Sequence, residues 1–159
     1  MTSRLSLQVR KAELTDLPEM KRLFKETIAA VCRHDYTPEQ LRAWSAGTES
    51  EQRWMGVIDS QHSLVVEAAG NVLGFASLKG GSYVDLMFVH KDFQRQGIAH
   101  LLLENLLAEA SHAGARRVTT HASKTARPFF ERNGFSLVRE NVRIIGGVEI
   151  RNFDMSLDL

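Results

Sequence analysis

The sequence predicts an α/β chain of the α+β type: a single mixed, mostly antiparallel twisted sheet of about seven strands with flanking helices. Three observations lead there. Residues 63–68, 72–78 and 82–89 are runs rich in Val, Leu and Phe, separated by Gly70-Asn71 and Gly80-Gly81, the pattern of an antiparallel meander. Residues 83–110 then read as strand, polar loop and long helix, and a strand-like run at 116–121 follows. Strand–helix–strand makes a crossover unit with parallel strands, expected to be right-handed. Residues 135–145 and 148–157 close the chain as a hairpin over Gly146-Gly147.

The remaining elements follow in order. Residues 6–11 alternate as a first strand. Asp16-Leu17-Pro18-Glu19 has an acidic cap, a proline in the first turn and a glutamate three residues on, a helix start. Leu17, Met20, Leu23, Phe24, Thr27, Ile28 and Val31 continue it at helical spacing. Thr37-Pro38-Glu39-Gln40 opens a second helix carrying Leu41 and Trp44, with Gly47 as its stop. A short third helix, about 49–57, holds Trp54. The long helix runs from Gly97 to about His112 with Ile98, Leu102, Leu106 and Ala110 on one face, Leu101 beside them, and Gly114 after it. Residues 125–133 form a short helix ended by Gly134. No linker or repeat interrupts, so residues 1–159 read as one domain.

Composition narrows the function. The chain has 159 residues, 43% apolar and 25% charged, the balance of a soluble globular protein. A net charge of +1 lacks the basic excess of a nucleic-acid binder, and no nucleic-acid partner is expected. No apolar stretch approaches the ~18 residues of a membrane span, so no membrane partner is expected either. The N-terminal MTSRLSLQVRKAE lacks the apolar run of a signal peptide. Cys32 is the one cysteine, which excludes an intrachain disulfide and a thiolate metal cluster and suits a cytoplasmic setting. Six histidines (34, 62, 90, 100, 112 and 121) show no metal-ligand spacing, so no metal is expected.

The informative stretch is the junction Gln94-Arg95-Gln96-Gly97-Ile98-Ala99. Amides at a helix start have no intrahelical partner, they point the same way, and the helix dipole adds to them. Gly97 lets a ligand approach the backbone. The junction therefore suits an anionic, phosphate-bearing ligand laid across the end of a strand.

These residues carry a resemblance. Gln94-x-x-Gly97-x-Ala99, placed between a strand and a helix, resembles the acetyl-CoA-binding motif of the GNAT N-acetyltransferase superfamily. Ser123-x-x-Ala126-x-x-x-Phe130-x-x-x-Gly134-Phe135 matches a second stretch of that family, which usually has Asn, Ala, Tyr and a terminal Gly-Phe there. Asp35-Tyr36-x-Pro38-Glu39-Gln40-Leu41-x-x-Trp44, the run from Ala126 to Glu131, and Gly147 with Asn152-Phe153-x-Met155 are similar to the bacterial YafP-like acetyltransferases.

The resemblance implies the GNAT (acyl-CoA N-acyltransferase) fold and acetyl transfer from acetyl-CoA, as co-substrate, to a primary amine by direct attack in a ternary complex. It gives the backbone of Met87, Phe88 and Val89 to the pantetheine arm and the amides of Gln94, Arg95, Gln96, Gly97, Ile98 and Ala99 to the pyrophosphate. Ser123 replaces the Asn that usually contacts the arm. Lys124, Arg127 and Arg132 lie where the adenosine end would run. A backbone N–H at the strand kink near Phe88 or Val89 would meet the oxyanion. Phe130 stands where the family usually has its tyrosine acid, and phenylalanine cannot donate a proton.

Three sets of residues remain open for the proton chemistry. Asp85 and Tyr83 lie, by strict alternation, on the same side of their strand as Met87 and Val89. Asp85 is the first candidate base, His121 the second, and Tyr83 a substitute for the missing acid. His34 and Tyr36 are the third candidates for the base; with Trp44 they fall in the region that in the family commonly lines the acceptor pocket, which would take a small-molecule or peptide amine. Trp44 and Trp54 also suit core or pocket wall, Cys32 a packed apolar position. The alternatives are a CoA-binding sensor, or an acyltransferase with another acyl chain or acceptor. The closing strands suit a homodimer contact.

Overall fold

The computed structural model describes residues 6–46 and 50–159. Seven strands, β1 Gln8–Lys11, β2 His62–Ala68, β3 Asn71–Lys79, β4 Tyr83–Val89, β5 Arg117–Ser123, β6 Ser136–Ile145 and β7 Val148–Asp158, form one sheet in the order β1-β2-β3-β4-β5-β7-β6. Among the described residues only β4 and β5 pair in parallel; every other neighbour is antiparallel. Five α-helices among the described residues flank the sheet: α1 Leu17–Val31, α2 Pro38–Ser45, α3 Glu51–Asp59, α4 Ile98–His112 and α5 Arg127–Arg132. The expected fold class holds. Gly47 and Glu49, the expected stop of α2 and start of α3, lie outside the described residues.

Each face of the sheet carries its own core. Ile98, Leu102, Leu103, Leu106 and Ala110 of α4 bury against Val66, Ala76, Val84 and Val118. Leu103 takes the buried place expected of Leu101, which is half-buried. The helix sits this close because residue 74 is glycine: a Cβ there would lie 2.8 Å from Ile98 Cγ2. On the opposite face, Leu17, Met20, Leu23, Phe24 and Ile28 of α1, with Trp54 and Val57 of α3, pack against Val65, Phe75 and Leu86. Tyr36, Cys32 and Ile150 form a third cluster with Trp44 half-buried beside it, tying α2 to β7.

Two local expectations are corrected. Asp16 precedes α1, but its carboxylate does not cap that helix. It takes both Arg10 guanidinium nitrogens at 2.8 Å and the Glu13 N–H at 2.7 Å, closing a 3-10 turn over Leu14–Asp16. The Thr37–Gln40 capping box does form, with both reciprocal bonds present.

The second correction decides the site. Strict alternation does not run through β4. The β3 partners of Leu86 and Val84 are the adjacent residues Ser77 and Leu78, so Asp85 is the extra residue of a β-bulge. Beyond the bulge Met87 and Val89 pack on the α4 side, whereas Leu86 and Phe88 face α1. Asp85 and Tyr83 therefore share the α1–α3 face, opposite to Met87 and Val89. The kink also falls at Asp85, earlier in the strand than Phe88 or Val89.

Candidate active site

β4 pairs with β5 only at Tyr83↔Thr119 and Val84↔Thr120. Past the bulge the two strands part, and a cleft of about 1590 Å³ opens along the separation. That exceeds the ~300–1,000 Å³ of an ordinary small-molecule pocket. The edge of β4 from Leu86 to Phe88 faces this cleft with no strand beyond it and can pair with an extended ligand, whereas the Val89 carbonyl is already taken by Thr27 Oγ1 and Gln94 Nε2.

One end of the cleft is the loop before α4. Gln94 donates from Nε2 to the Val89 carbonyl at 2.7 Å and to the His90 carbonyl at 3.3 Å, folding the loop back on β4. Arg95 and Gly97 both take positive φ, 59° and 81°. Alternating left-handed residues turn successive N–H groups inward, the geometry of an anion nest. A Cβ at Gly97 would meet nothing within 4 Å, so the space in front of the backbone is open. Ile98 is buried in the core and offers the cleft only its backbone; Ala99 and His100 complete the lining. Gln96 is exposed and lies outside it.

The other end carries a hydrogen-bonded chain across three strands. The Tyr83 hydroxyl lies 3.0 Å from His121 Nδ1, and His121 Nε2 lies 2.8 Å from Asp154 Oδ1. A carboxylate only accepts, so Nε2 carries the hydrogen; in the neutral ring Nδ1 then accepts from Tyr83. Asp154 is fixed in turn by Arg139 Nε at 2.6 Å and by the Asn141 side-chain amide. Burial pushes the Tyr83 hydroxyl above its ordinary value and nearby Asp85 adds to this, while Arg143 and Arg53 pull the other way. Tyr83 thus stays protonated at neutral pH.

A nest-shaped loop at a helix start, an unpaired strand edge and the hydrogen-bonded Tyr83–His121–Asp154 chain at the far end lie along one cleft. The model of an acetyltransferase (GNAT) domain matches residues 32–159. The chain belongs to the GNAT acetyltransferase family. It is 30% identical over 150 residues to the N-acetyltransferase YafP of Escherichia coli K12, covering 94% of this chain and 95% of that one. A GCN5-related N-acetyltransferase from Rhodopseudomonas palustris superposes over the full length of both chains with a TM-score of 0.94 at 28% identity. The PaiA N-acetyltransferase of Thermoplasma acidophilum, solved in complex with coenzyme A, shares the fold at TM-score 0.80 and 17% identity, over 98% and 100% of the two chains.

Asp85 accepts from Gln61 Nε2 at 2.9 Å and pairs with Arg53 at 3.5 Å, so both its oxygens are engaged. Tyr36 is buried; its hydroxyl donates to the Arg151 carbonyl and accepts from the Lys124 N–H, and burial pushes it up to about 12. It ties the turn before α2 to β7 and to the end of β5. Trp44 lines the cleft with its ring 5.5 Å from Tyr36 and 6.3 Å from Phe88. His34 is exposed and is not brought to the cleft. Phe130 is 3% exposed, its ring against Phe129 and Phe135. Ser123 accepts from the Ala126 N–H at 3.0 Å. Of the three basic candidates for the adenosine end, Arg132 lines the cleft, whereas Arg127 turns to Glu131 and the face of Phe153.

Sequence reasoning missed Asp154 and Asn152. Asn152 pairs across from Ser123 and lines the cleft with a buried Oδ1 that has no hydrogen-bond partner. Both residues stand in the run Asn152-Phe153-Asp154-Met155, polar positions alternating with buried apolar ones. Their relation to His121 and Ser123 depends on the β5–β7 register, a non-local pairing that periodicity does not encode. Among the described residues no group of three His, Cys, Asp or Glu gathers as for a metal, and no helix is long and apolar enough to cross a membrane.

Proposed function

We propose that this GNAT protein transfers the acetyl group of acetyl-CoA to a primary amine by direct attack in a ternary complex. The observation that carries the reading is the Tyr83–His121–Asp154 chain, set where β4 and β5 part, at the opposite end of β4 from the phosphate nest. The inward amides of the loop from Arg95 to Ala99 and the positive end of α4 suit a pyrophosphate. The free edge of β4 suits the pantetheine arm. The unpartnered Asn152 Oδ1, beside Ser123, suits an amide N–H of that arm and takes the place of the side chain that Ser123 lacks.

The acyl donor supplies an activated thioester. A new C–N bond forms as the C–S bond breaks, and one proton must leave nitrogen while sulfur gains one. Tyr83 takes the amine proton as it passes its own to His121 Nδ1. Asp154 stabilises the resulting imidazolium. The proton then returns through Tyr83 to the thiolate, and the chain is restored. One relay thus serves as base and then acid, so the hydroxyl absent at Phe130 is not needed. Positioned proton transfer of this kind is worth ~10²–10⁴-fold. Asp85, held by Arg53 and Gln61, orients that arginine and biases Tyr83 toward its protonated form.

A covalent route is disfavoured by Cys32, the only thiol. It is buried, and burial raises it to about 11, so it is not a thiolate nucleophile at neutral pH. The test is release of free CoA thiol from acetyl-CoA in the presence of primary amines, with both substrates varied. Intersecting double-reciprocal lines and an acetylated amine product are expected. Parallel lines, or tight CoA binding with no turnover on any amine, would overturn it, the latter in favour of a CoA-binding sensor.

A further inference from the structure

Six cationic side chains line the cleft, Arg53, Lys79, Arg95, Arg132, Arg139 and Arg143, against one carboxylate among the described residues, Asp85. The whole chain is nearly balanced, with 20 Lys and Arg against 19 Asp and Glu. The cleft therefore concentrates positive charge, and it does so in two separate places.

Arg95 lies in the phosphate loop, and Arg132 beside Asn133, whose Oδ1 is 3.2 Å from His100 Nδ1 in the first turn of α4. These two suit the phosphates. Of the other four, Lys79, Arg53 and Arg139 stand around the far end, and Arg143 lies four residues along β6 from Arg139, opposite Ile150, with its charge acting on Tyr83. Lys79 pairs directly across from Tyr83, so both project from the same face of the sheet. Arg53 holds Asp85, and Arg139 holds Asp154. Arg143 follows Arg139 and Asn141 on one face of β6. A strand rises ~3.3 Å per residue, which sets Tyr83 roughly 20 Å from Val89 and the loop beyond it. Cations around Tyr83 are too distant to serve the pyrophosphate.

Two of these four are already neutralised. Arg53 and Arg139 each face a carboxylate, whereas Arg143 and Lys79 have no ion-pair partner among the described residues. Beside Arg143 the wall is apolar: Ile150 pairs across from it on β7, and Trp44 and Ile145 pack against Ile150. Two unpaired cations, Arg143 next to an apolar surface and Lys79 across from Tyr83, in the part of the cleft where the amine must arrive, call for an acceptor that brings its own negative charge. A polyamine would instead add positive charge to a positive site.

We infer that the acceptor is a small amine that also carries a carboxylate, an amino acid with an apolar side chain, whose carboxylate is held by Arg143 and Lys79 while its nitrogen faces Tyr83. The inference rests on the acetyltransferase reading for the identity of the reacting group. A guanidinium offers a planar, two-pronged fit to a carboxylate that an ammonium cannot, so Arg143 is the principal anchor. The positive field also steers an anionic group inward and orients it before contact. The apolar wall then takes the side chain.

Matched pairs differing only in the carboxylate test this: L-phenylalanine with phenethylamine, and L-leucine with isopentylamine. With acetyl-CoA, kcat/KM is expected to favour the amino acid of each pair at least tenfold. Arg143→Gln should collapse that ratio toward one by raising KM for the amino acid, and Arg143→Lys should restore part of it. A second readout needs no turnover: with CoA present, L-phenylalanine should raise the melting temperature, phenethylamine should not, and Arg143→Gln should remove the shift. Equal or better use of the neutral amines, or an unchanged ratio in Arg143→Gln, overturns the anionic acceptor while leaving acetyl transfer standing. Stabilisation by L-phenylalanine that depends on Arg143, with no acetylation of any amine, supports the anion site and counts against the acetyltransferase reading instead.

Discussion

His121 and Asp154 face each other as directly paired residues of β5 and β7, with Nε2 and Oδ1 2.8 Å apart. The contact fixes the imidazole tautomer and turns the other ring nitrogen toward the Tyr83 hydroxyl. β7 reaches this position because it inserts between β5 and β6, so the closing hairpin is part of the site as well as of the fold. Arg139 and Asn141, from the other strand of that hairpin, hold the carboxylate from its far side.

The nest before α4 requires glycine at 97 for two reasons, its φ of 81° and the open space where a ligand must approach. Gly97→Ala is expected to strain the loop by roughly 1 kcal/mol, and Gly97→Glu to set a negative charge against the bound phosphates. CoA affinity, measured by calorimetry, should fall at least ~10-fold in Gly97→Glu, about 1.4 kcal/mol. The fold should be retained, because residue 97 packs against nothing. Undiminished affinity would remove the loop from the CoA site.

How much of this was legible in the sequence depends on whether the cause was local. Among the described residues every strand and α-helix was recoverable, because α1, α4 and the meander bury what their periodicity says they bury, though the two 3-10 turns beside α1 were not. The nest was recoverable too, since Gln94, Gly97 and Ala99 are neighbours in the chain. The bulge at Asp85 was not. It reflects how β3 and β4 fit together, and one extra residue sufficed to move Met87 and Val89 to the opposite face from Asp85. Tyr83 and His121 were each named as candidates, but nothing in the linear sequence joins residues 38 positions apart. Asp154 needed a further non-local fact, the insertion of β7. Asp16 shows the same limit at small scale: its cap signature was sound, yet Arg10, six residues away on β1, takes the carboxylate.

That ion pair has a measurable consequence. Arg10 holds the Asp16 carboxyl below its ordinary range, and the Glu13 N–H adds to the effect against the opposing cost of burial. A depressed folded value means that the stability is present above the unfolded value of ~3.9 and is lost as pH falls through the folded one. Asp16→Asn should cost about 1–2 kcal/mol at pH 7, from losing a charged hydrogen-bond partner that is largely shielded. The difference from wild type should shrink below pH 4. A constant difference across that range in urea melts would contradict the assignment.

Alkaline pH acts in the opposite sense. Burial raises the Cys32 thiol to about 11 and the Tyr36 hydroxyl to about 12. The folded chain keeps these protons where the unfolded chain has begun to release them. Stability therefore falls as pH rises, beginning near the ordinary thiol value of ~8.5 and continuing through about 12. Native Cys32 should react with iodoacetamide at pH 8 at least ~100-fold more slowly than in urea, because both access and thiolate fraction are reduced. Rapid labelling of the native protein would show that the thiol is neither buried nor raised.

The central claim, that Tyr83 and His121 move the proton as one unit, is tested most directly by a double-mutant cycle on kcat. Tyr83→Phe and His121→Gln are each expected to lower kcat ~10²–10³-fold, with acetyl-CoA binding retained. The double variant should lose little more than the worse single one, because groups acting in series are not additive. Asp85→Asn, run alongside, should cost far less than either. Losses that multiply in the double variant, or an Asp85→Asn variant as impaired as His121→Gln, would contradict the relay and return Asp85 to the role of base.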